Sequence, residues 1–257
     1  MMDRRRKPSG DWVGSRVVQL GFLIGLIVLW YLATAKWGVS AILLPKPADV
    51  LHELVGELKT GRFIGDLRVT IFELVTAFAI SSTAGTVIGY LLSRSQYLIR
   101  VFDPLFSGIY AIPAILFFPL YVLFFGLGPE SKIAMGTTIS FFPIVLNTMA
   151  GFGNVEKIFI VAAQSMGCSN YHMFRWVLLP AAFPVILTGL RMGFILAFLA
   201  ILGSETIASL SGIGHRIVML AEGMDTARMY AYIVFAVAIA ALLNAVVSRL
   251  EARGRRS

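Results

Sequence analysis

The chain has 257 residues, of which 58% are hydrophobic and 14% charged, and its mean hydropathy is +0.81. A soluble domain carries about a quarter charged residues, so a water-soluble globule is excluded, and the length suits about six membrane spans of about 20 residues. The net charge of +8 gathers in basic termini, Arg4 to Lys7 and Arg249 to Arg256, which reads as the flanks of membrane spans and not as a nucleic-acid surface.

Residues 1–16 are polar and basic, a tail. The apolar run 17–35 exceeds the core of a secretory leader and lacks a clean small-x-small cleavage site, so it reads as a retained first span. Leu44-Pro-Lys-Pro47 predicts an extended turn that opens a helix. Val50, Leu51, Leu54, Val55 and Leu58 then recur at helical spacing with His52, Glu53 and Glu57 opposite. That pattern predicts an amphipathic surface helix with its acids in solvent. The second span is expected over 70–93, with Ser82, Thr86, Gly89 and Ser93 as a small-residue packing face.

Asp103-Pro104 resembles a cap and first helical residue for a third span over 104–125. Pro113 and Pro119 inside that run predict kinks, and Tyr110, Phe117, Phe118 and Tyr121 suit either a gate lining or a lipid-facing surface. Gly126 to Pro129 is a turn, with Glu130 and Lys132 placed outside the membrane. The fourth span, 133–151, carries Thr137, Thr138, Ser140 and Asn147 without a charge. The fifth, 184–204, holds Arg191, the one expected intramembrane charge, and a small-residue face of Gly189, Gly193, Ala197, Ala200 and Ser204. Glu205 is expected at an outer mouth, followed by a loop with a short helix near His215 to Glu222. A sixth span over 229–248 precedes the basic tail 249–257. The density of Lys and Arg beside the even-numbered span ends places both termini in the cytoplasm.

The stretch 152–183 interrupts the apolar blocks with polar sequence that can still form helix. It contains Ala162-Ala163, a turn glycine at Gly167 that calls for positive φ, and Leu178-Leu179-Pro180, where the proline fits the first turn of a new helix or a stop for the old one. The spacing Ala-Ala-x-x-x-Gly, nine residues, Val-x-Leu-Pro resembles the cytoplasmic EAA loop of permease subunits of bacterial ABC importers, with Val161 where that family has Glu. Leu44 to Pro47, Asp103-Pro104, Ile112-Pro113, Phe125 to Gly128, Phe141 to Thr148 and Leu187 to Arg191 extend the resemblance over about 40–250, toward the nitrate, sulfonate and taurine branch.

The resemblance implies an all-α integral membrane protein of about six transmembrane helices with a cytoplasmic coupling helix, the type I ABC importer permease fold. It implies a bacterial inner-membrane location, a second copy of the chain, two ABC ATPase subunits that hold ATP and Mg, and an extracytoplasmic binding protein delivering a small anion. On that resemblance Ala162, Ala163, Gln164, Ser165, Gly167, Cys168, Ser169, Leu179 and Pro180 couple to the ATPase. The third to fifth spans line the path, with Pro113, Phe117, Phe118, Thr137, Ser140, Asn147, Gly193, Ala197 and Ser204 as candidates.

The sequence has no Gly-x-x-x-x-Gly-Lys-Ser/Thr loop, no His-Glu-x-x-His and no Cys/His cluster at zinc spacing, so no metal site, cofactor site or covalent chemistry is expected in this chain. Two rival readings have requirements of their own. A stand-alone channel or secondary transporter wants paired intramembrane charges, and here Glu73 and Glu205 read as edge acids. An intramembrane enzyme wants a buried acid pair or a serine–histidine arrangement, and none is evident.

Overall fold

The computed structural model describes residues 11–36 and 38–254, so the basic clusters at Arg4 to Lys7 and Arg255-Arg256 lie outside the described residues. Every regular element among the described residues is helical. α1 (Asp11–Ala35) is exposed along its apolar length and meets the bundle near its end, where the Trp30 indole N–H donates to the Pro45 carbonyl at 3.0 Å. The helix begins within the segment predicted as a tail.

α2 (Pro47–Thr60) starts on the predicted proline and ends at Gly61 in the left-handed region, φ 71°. The bundle-facing side is mixed: Val50 is buried and Leu54 half-buried, while Leu51, Val55 and Leu58 are exposed. Glu57, expected in solvent, is buried and faces the bundle. The inward acids have partners. Arg228 Nε lies 3.2 Å from Glu53 Oε2 and 3.4 Å from Glu57 Oε1, and the Tyr232 hydroxyl donates to Glu57 Oε2 at 3.4 Å.

α3 (Arg62–Ser93), α6 (Pro129–Gly153) and α9 (Leu179–Ile207) form the centre of the bundle. α3 starts well before the predicted residue 70, extending past the apolar window. Small residues set how closely these helices approach. A Cβ at Gly85 would lie 2.8 Å from Ile144, at Gly89 2.7 Å from Thr148, and at Gly193 2.6 Å from Ile144. Without a hydrophobic drive between helices in lipid, such backbone proximity supplies the dispersion contact that holds them. The packing face of α3 is Ala77, Ser81, Gly85 and Gly89; Ser82, Thr86 and Ser93 from the predicted stripe are only half-buried. The α9 stripe is buried at Gly189, Gly193, Ala197, Ala200 and Ser204. Leu74, Ala77, Ala197, Phe198 and Ile201 fill the core between α3 and α9.

The predicted third span is two helices. α4 (Gln96–Tyr110) and α5 (Phe118–Phe125), the latter led in by a 3-10 turn at Ala114–Phe117, are bent by 72°. Pro113 lacks a backbone donor and disfavours helix at Ile112, which breaks the run. Pro104 sits inside α4 and Asp103 caps nothing there, because the helix already begins after Ser95. Five described helices are long and apolar enough to cross a membrane, or six if the bent pair counts as one span. α10 (Ile213–Glu222) and α11 (Thr226–Gly254) complete the chain, packing through Phe63, Ile213, Tyr232 and Ala236.

Candidate functional site: the helical hairpin and the buried polar end

Between α6 and α9 the chain leaves the bundle as α7 (Lys157–Ser165), a turn, and α8 (Asn170–Met173). Gly167 closes α7 at φ 73°. The Cys168 N–H donates to the Ala163 carbonyl at 3.1 Å and the Gly167 N–H to the Gln164 carbonyl at 2.9 Å. This pair of bonds is a Schellman ending, which places a left-handed residue one position past the helix cap. Ser169 then opens α8: its Oγ accepts from the His172 N–H at 3.4 Å and lies 2.7 Å from His172 Nδ1.

α8 does not stop at Leu179-Pro180. It passes through a π-turn at Phe174–Leu178 into α9, one continuous helical run from Asn170 to Ile207. The proline has no N–H to give, and the wider turn before it accommodates the loss. The fifth span is thus rooted in the hairpin, without the loop expected up to 183. Phe152, Ala182 and Ile186 pack beneath it, and Tyr90 meets Phe152 and Phe174 at ring separations of 4.9 and 5.0 Å.

Of the sequence candidates on the hairpin, Ala163 is buried, Cys168 and Leu179 are half-buried, and Ala162, Gln164, Ser165, Gly167, Ser169 and Pro180 are exposed. Val161, at the position of the family's Glu, is also exposed, and its carbonyl accepts from Ser165 Oγ at 2.9 Å. Beyond the sequence candidates, Ile158, Phe159, Met166, Tyr171 and Trp176 are all exposed on this hairpin. Exposed apolar side chains that gather on one element suit an interaction surface.

The path candidates divide. Phe118, Ser140, Gly193, Ala197 and Ser204 are buried between helices of the one chain. Asn147 donates to the Pro143 carbonyl at 2.7 Å within its own helix, and Thr137 donates across to the Ala77 carbonyl at 3.4 Å. Pro113 and Phe117 are exposed at the α4–α5 break. That break walls a cavity of about 200 Å³ with Tyr110, Phe117, Tyr121, Thr138 and Phe142, in which the Tyr121 hydroxyl and Thr138 Oγ1 are 2.8 Å apart.

The opposite end of the bundle holds charges that the sequence analysis placed at the edge. Glu73, Lys132 and Glu205 are each buried to about 1% exposure. Glu205 accepts from the Thr70 hydroxyl at 2.7 Å and from the Gly214 N–H at 2.7 Å, capping the start of α10 across a loop. Gly212, at φ 106°, leaves the space Glu205 occupies; a Cβ there would collide with the carboxylate. Glu73 neighbours Glu205, and its Oε2 is buried without a hydrogen-bond partner. Lys132 Nζ donates to the Leu127 and Gly128 carbonyls at 2.6 and 2.8 Å. Arg191, the one expected intramembrane charge, is only half-buried and donates to Asn244 Oδ1 at 3.5 Å. A buried acid pair therefore exists, contrary to expectation, and Glu205 of that pair is engaged in tying α9 to α3 and α10. Beside it Arg216 Nε donates to Asp66 Oδ2 at 3.1 Å, and that hydrogen bond, against a smaller desolvation effect, raises the guanidinium pKa above its ordinary value. No group of three or more His, Cys, Asp or Glu arranged for a metal occurs among the described residues.

A bundle of apolar helices from which one helical hairpin projects, rooted directly in a central span, is the architecture of a membrane permease subunit. The chain belongs to the family of binding-protein-dependent transport system inner membrane components, whose profile matches residues 81–255. It is 29% identical over 255 residues to the taurine transport system permease protein TauC of Escherichia coli (strain K12), covering 96% of this chain and 93% of that one. It is 27% identical over 226 residues to the putative aliphatic sulfonates transport permease protein SsuC of Bacillus subtilis (strain 168), covering 88% and 82%. The fold matches an inward-facing structure of the MetNI methionine ABC transporter with a TM-score of 0.67 at 17% identity, over 77% of this chain and 98% of that one. The chain is thus an integral-membrane permease subunit of an ABC importer, with the type I permease fold. This replaces the stand-alone transporter reading.

Proposed function

We propose that two copies of this chain form the path of an importer for a small sulfonate-type anion, and that α7 and its turn seat in a groove of a separate ATPase. The observation that carries the coupling assignment is the exposed apolar side chains on both arms of the hairpin, Ile158, Phe159 and Met166 before the Schellman turn and Tyr171 and Trp176 after it, the second arm being continuous with α9. A displacement of the hairpin's second arm passes into α9 along one helical run from Asn170. ATP and Mg²⁺ act in the partner, and ATPase closure biases a two-state arrangement of the spans. The taurine and aliphatic sulfonate names of the relatives support the solute class. The cavity at the α4–α5 break, uncharged and aromatic, suits passage better than tight retention of an anion, which leaves selection to an extracytoplasmic binding protein. The basic chain ends support cytoplasmic termini in a bacterial inner membrane.

The test is reconstitution of the chain with its ATPase and binding protein in proteoliposomes, following ATP-dependent uptake of taurine and of an alkanesulfonate. Uptake that requires all three proteins is expected. ATP-independent flux through the chain alone overturns the proposal.

A further inference from the structure

A second cavity, of about 360 Å³, lies where the ends of α3 and α6 meet the hairpin. Its floor is the aromatic group Tyr90, Phe152 and Phe174. Its polar wall carries Arg94, just past the end of α3, and Lys157, the first residue of α7, with Asn170 from α8. No carboxylate lines it, and neither Arg94 nor Lys157 forms an ion pair among the described residues. Lys157 stands where a helix least favours a cation, because the free N–H groups of a helix start already carry positive potential. Two solvent-exposed cations and the start of a nine-residue helix thus border one recess, beside the ends of α3 and α6.

We propose that this recess binds an anion of the phosphate or sulfonate type, held between Arg94 and Lys157 over the aromatic floor. Charge-assisted hydrogen bonds from Arg and Lys are the usual means of holding such groups. The bound group bridges the end of a span to the coupling helix, so its occupancy fixes the position of α7. The chemistry is shared by an anionic phospholipid headgroup and by a soluble anion in the cytoplasm. The inference rests on the placement of α7 at the membrane boundary but not on the identity of the transported solute.

The test uses the full-length chain in nanodiscs, without ATPase, so that its outcome is separate from that of the transport assay. One arm compares retention of phosphatidylglycerol and phosphatidylcholine by native mass spectrometry. The other titrates inorganic phosphate, and separately methanesulfonate, into purely zwitterionic discs while following the heat of binding by calorimetry. Arg94→Gln with Lys157→Gln is expected to weaken the retained probe by about tenfold or more, and Arg175→Gln, a cation outside the recess, to leave it unchanged. Selective phosphatidylglycerol retention assigns a lipid; saturable phosphate or methanesulfonate binding in zwitterionic discs assigns a soluble anion. Unchanged melting of the double variant confirms that it folds. Binding that is equal in wild type and double variant for every probe, or lost equally in Arg175→Gln, overturns the proposal.

Discussion

Replacing Gly167 with valine isolates the turn that closes α7. An added Cβ meets nothing within 4 Å there, so the whole cost is torsional. A non-glycine residue held at φ 73° costs about 1–2 kcal/mol, more for a β-branched side chain. The chain can relieve that strain only by opening the turn, losing the Cys168–Ala163 and Gly167–Gln164 bonds at about 1 kcal/mol each. Either route is severe for a nine-residue helix, which has little stability of its own. The bundle lies elsewhere, so its melting should stay within about 0.5 kcal/mol of wild type. ATP-driven uptake in proteoliposomes should fall by about tenfold or more, the equivalent of 1.4 kcal/mol of lost coupling geometry, while Gly167→Asn, which tolerates the left-handed region, keeps most of it. Wild-type uptake by the valine variant would refute the reasoning. An asparagine variant as impaired as valine would show that torsion is not the cause.

Gly193→Ala forces a Cβ to within 2.6 Å of Ile144 and 3.0 Å of the Ser140 carbonyl; the expected loss is about 1–3 kcal/mol, read as a lowered melting temperature in detergent, and an unchanged one contradicts the close-packing account. Glu205→Ala removes the acceptor for both Thr70 and the Gly214 N–H, at about 1–3 kcal/mol per stranded donor. Hydrogen exchange at Gly214 should accelerate, and retained protection counts against the capping role. Arg228→Ala strips the cation from Glu53 and Glu57; with the arginine side chain 36% exposed, solvent screening limits the loss to about 1 kcal/mol. Limited proteolysis should cut α2 faster, and an unchanged cleavage pattern argues that the apolar contacts of α2 suffice.

The helical membrane class was legible because long apolar runs have few other uses, and the hairpin was legible because a glycine at a left-handed turn must be read as such. What was not legible depended on contacts distant in the chain. Glu205 looks like a mouth residue until Thr70 and Gly214 are seen around it, and nothing local announces that pairing. Gly212 lies in the loop after Glu205, and only the fold reveals that it clears room for a carboxylate. α2 shows the limit of amphipathic patterns next to lipid: its helical spacing is legible, but Glu57 is buried against Arg228 and Tyr232, partners far along the chain. On α3 the stripes through Ser82 and through Ser81 are both rich in small residues, and only the position of Ile144 and Thr148 on α6 distinguishes them. The break at Pro113 was expected as a kink, whereas a bend of 72° required the connection to leave helix altogether.

The central claim, that the hairpin couples this permease to an ATPase, is tested most directly by purifying the full chain with the candidate ATPase and measuring ATP hydrolysis in liposomes with and without the binding protein, for wild type and for Gly167→Val. The account predicts a stable complex whose binding-protein-stimulated hydrolysis is lost in the variant while the complex still forms or weakens. Full stimulation in the variant, or a complex that forms equally well after the exposed Phe159 and Tyr171 are both replaced by serine, would contradict it.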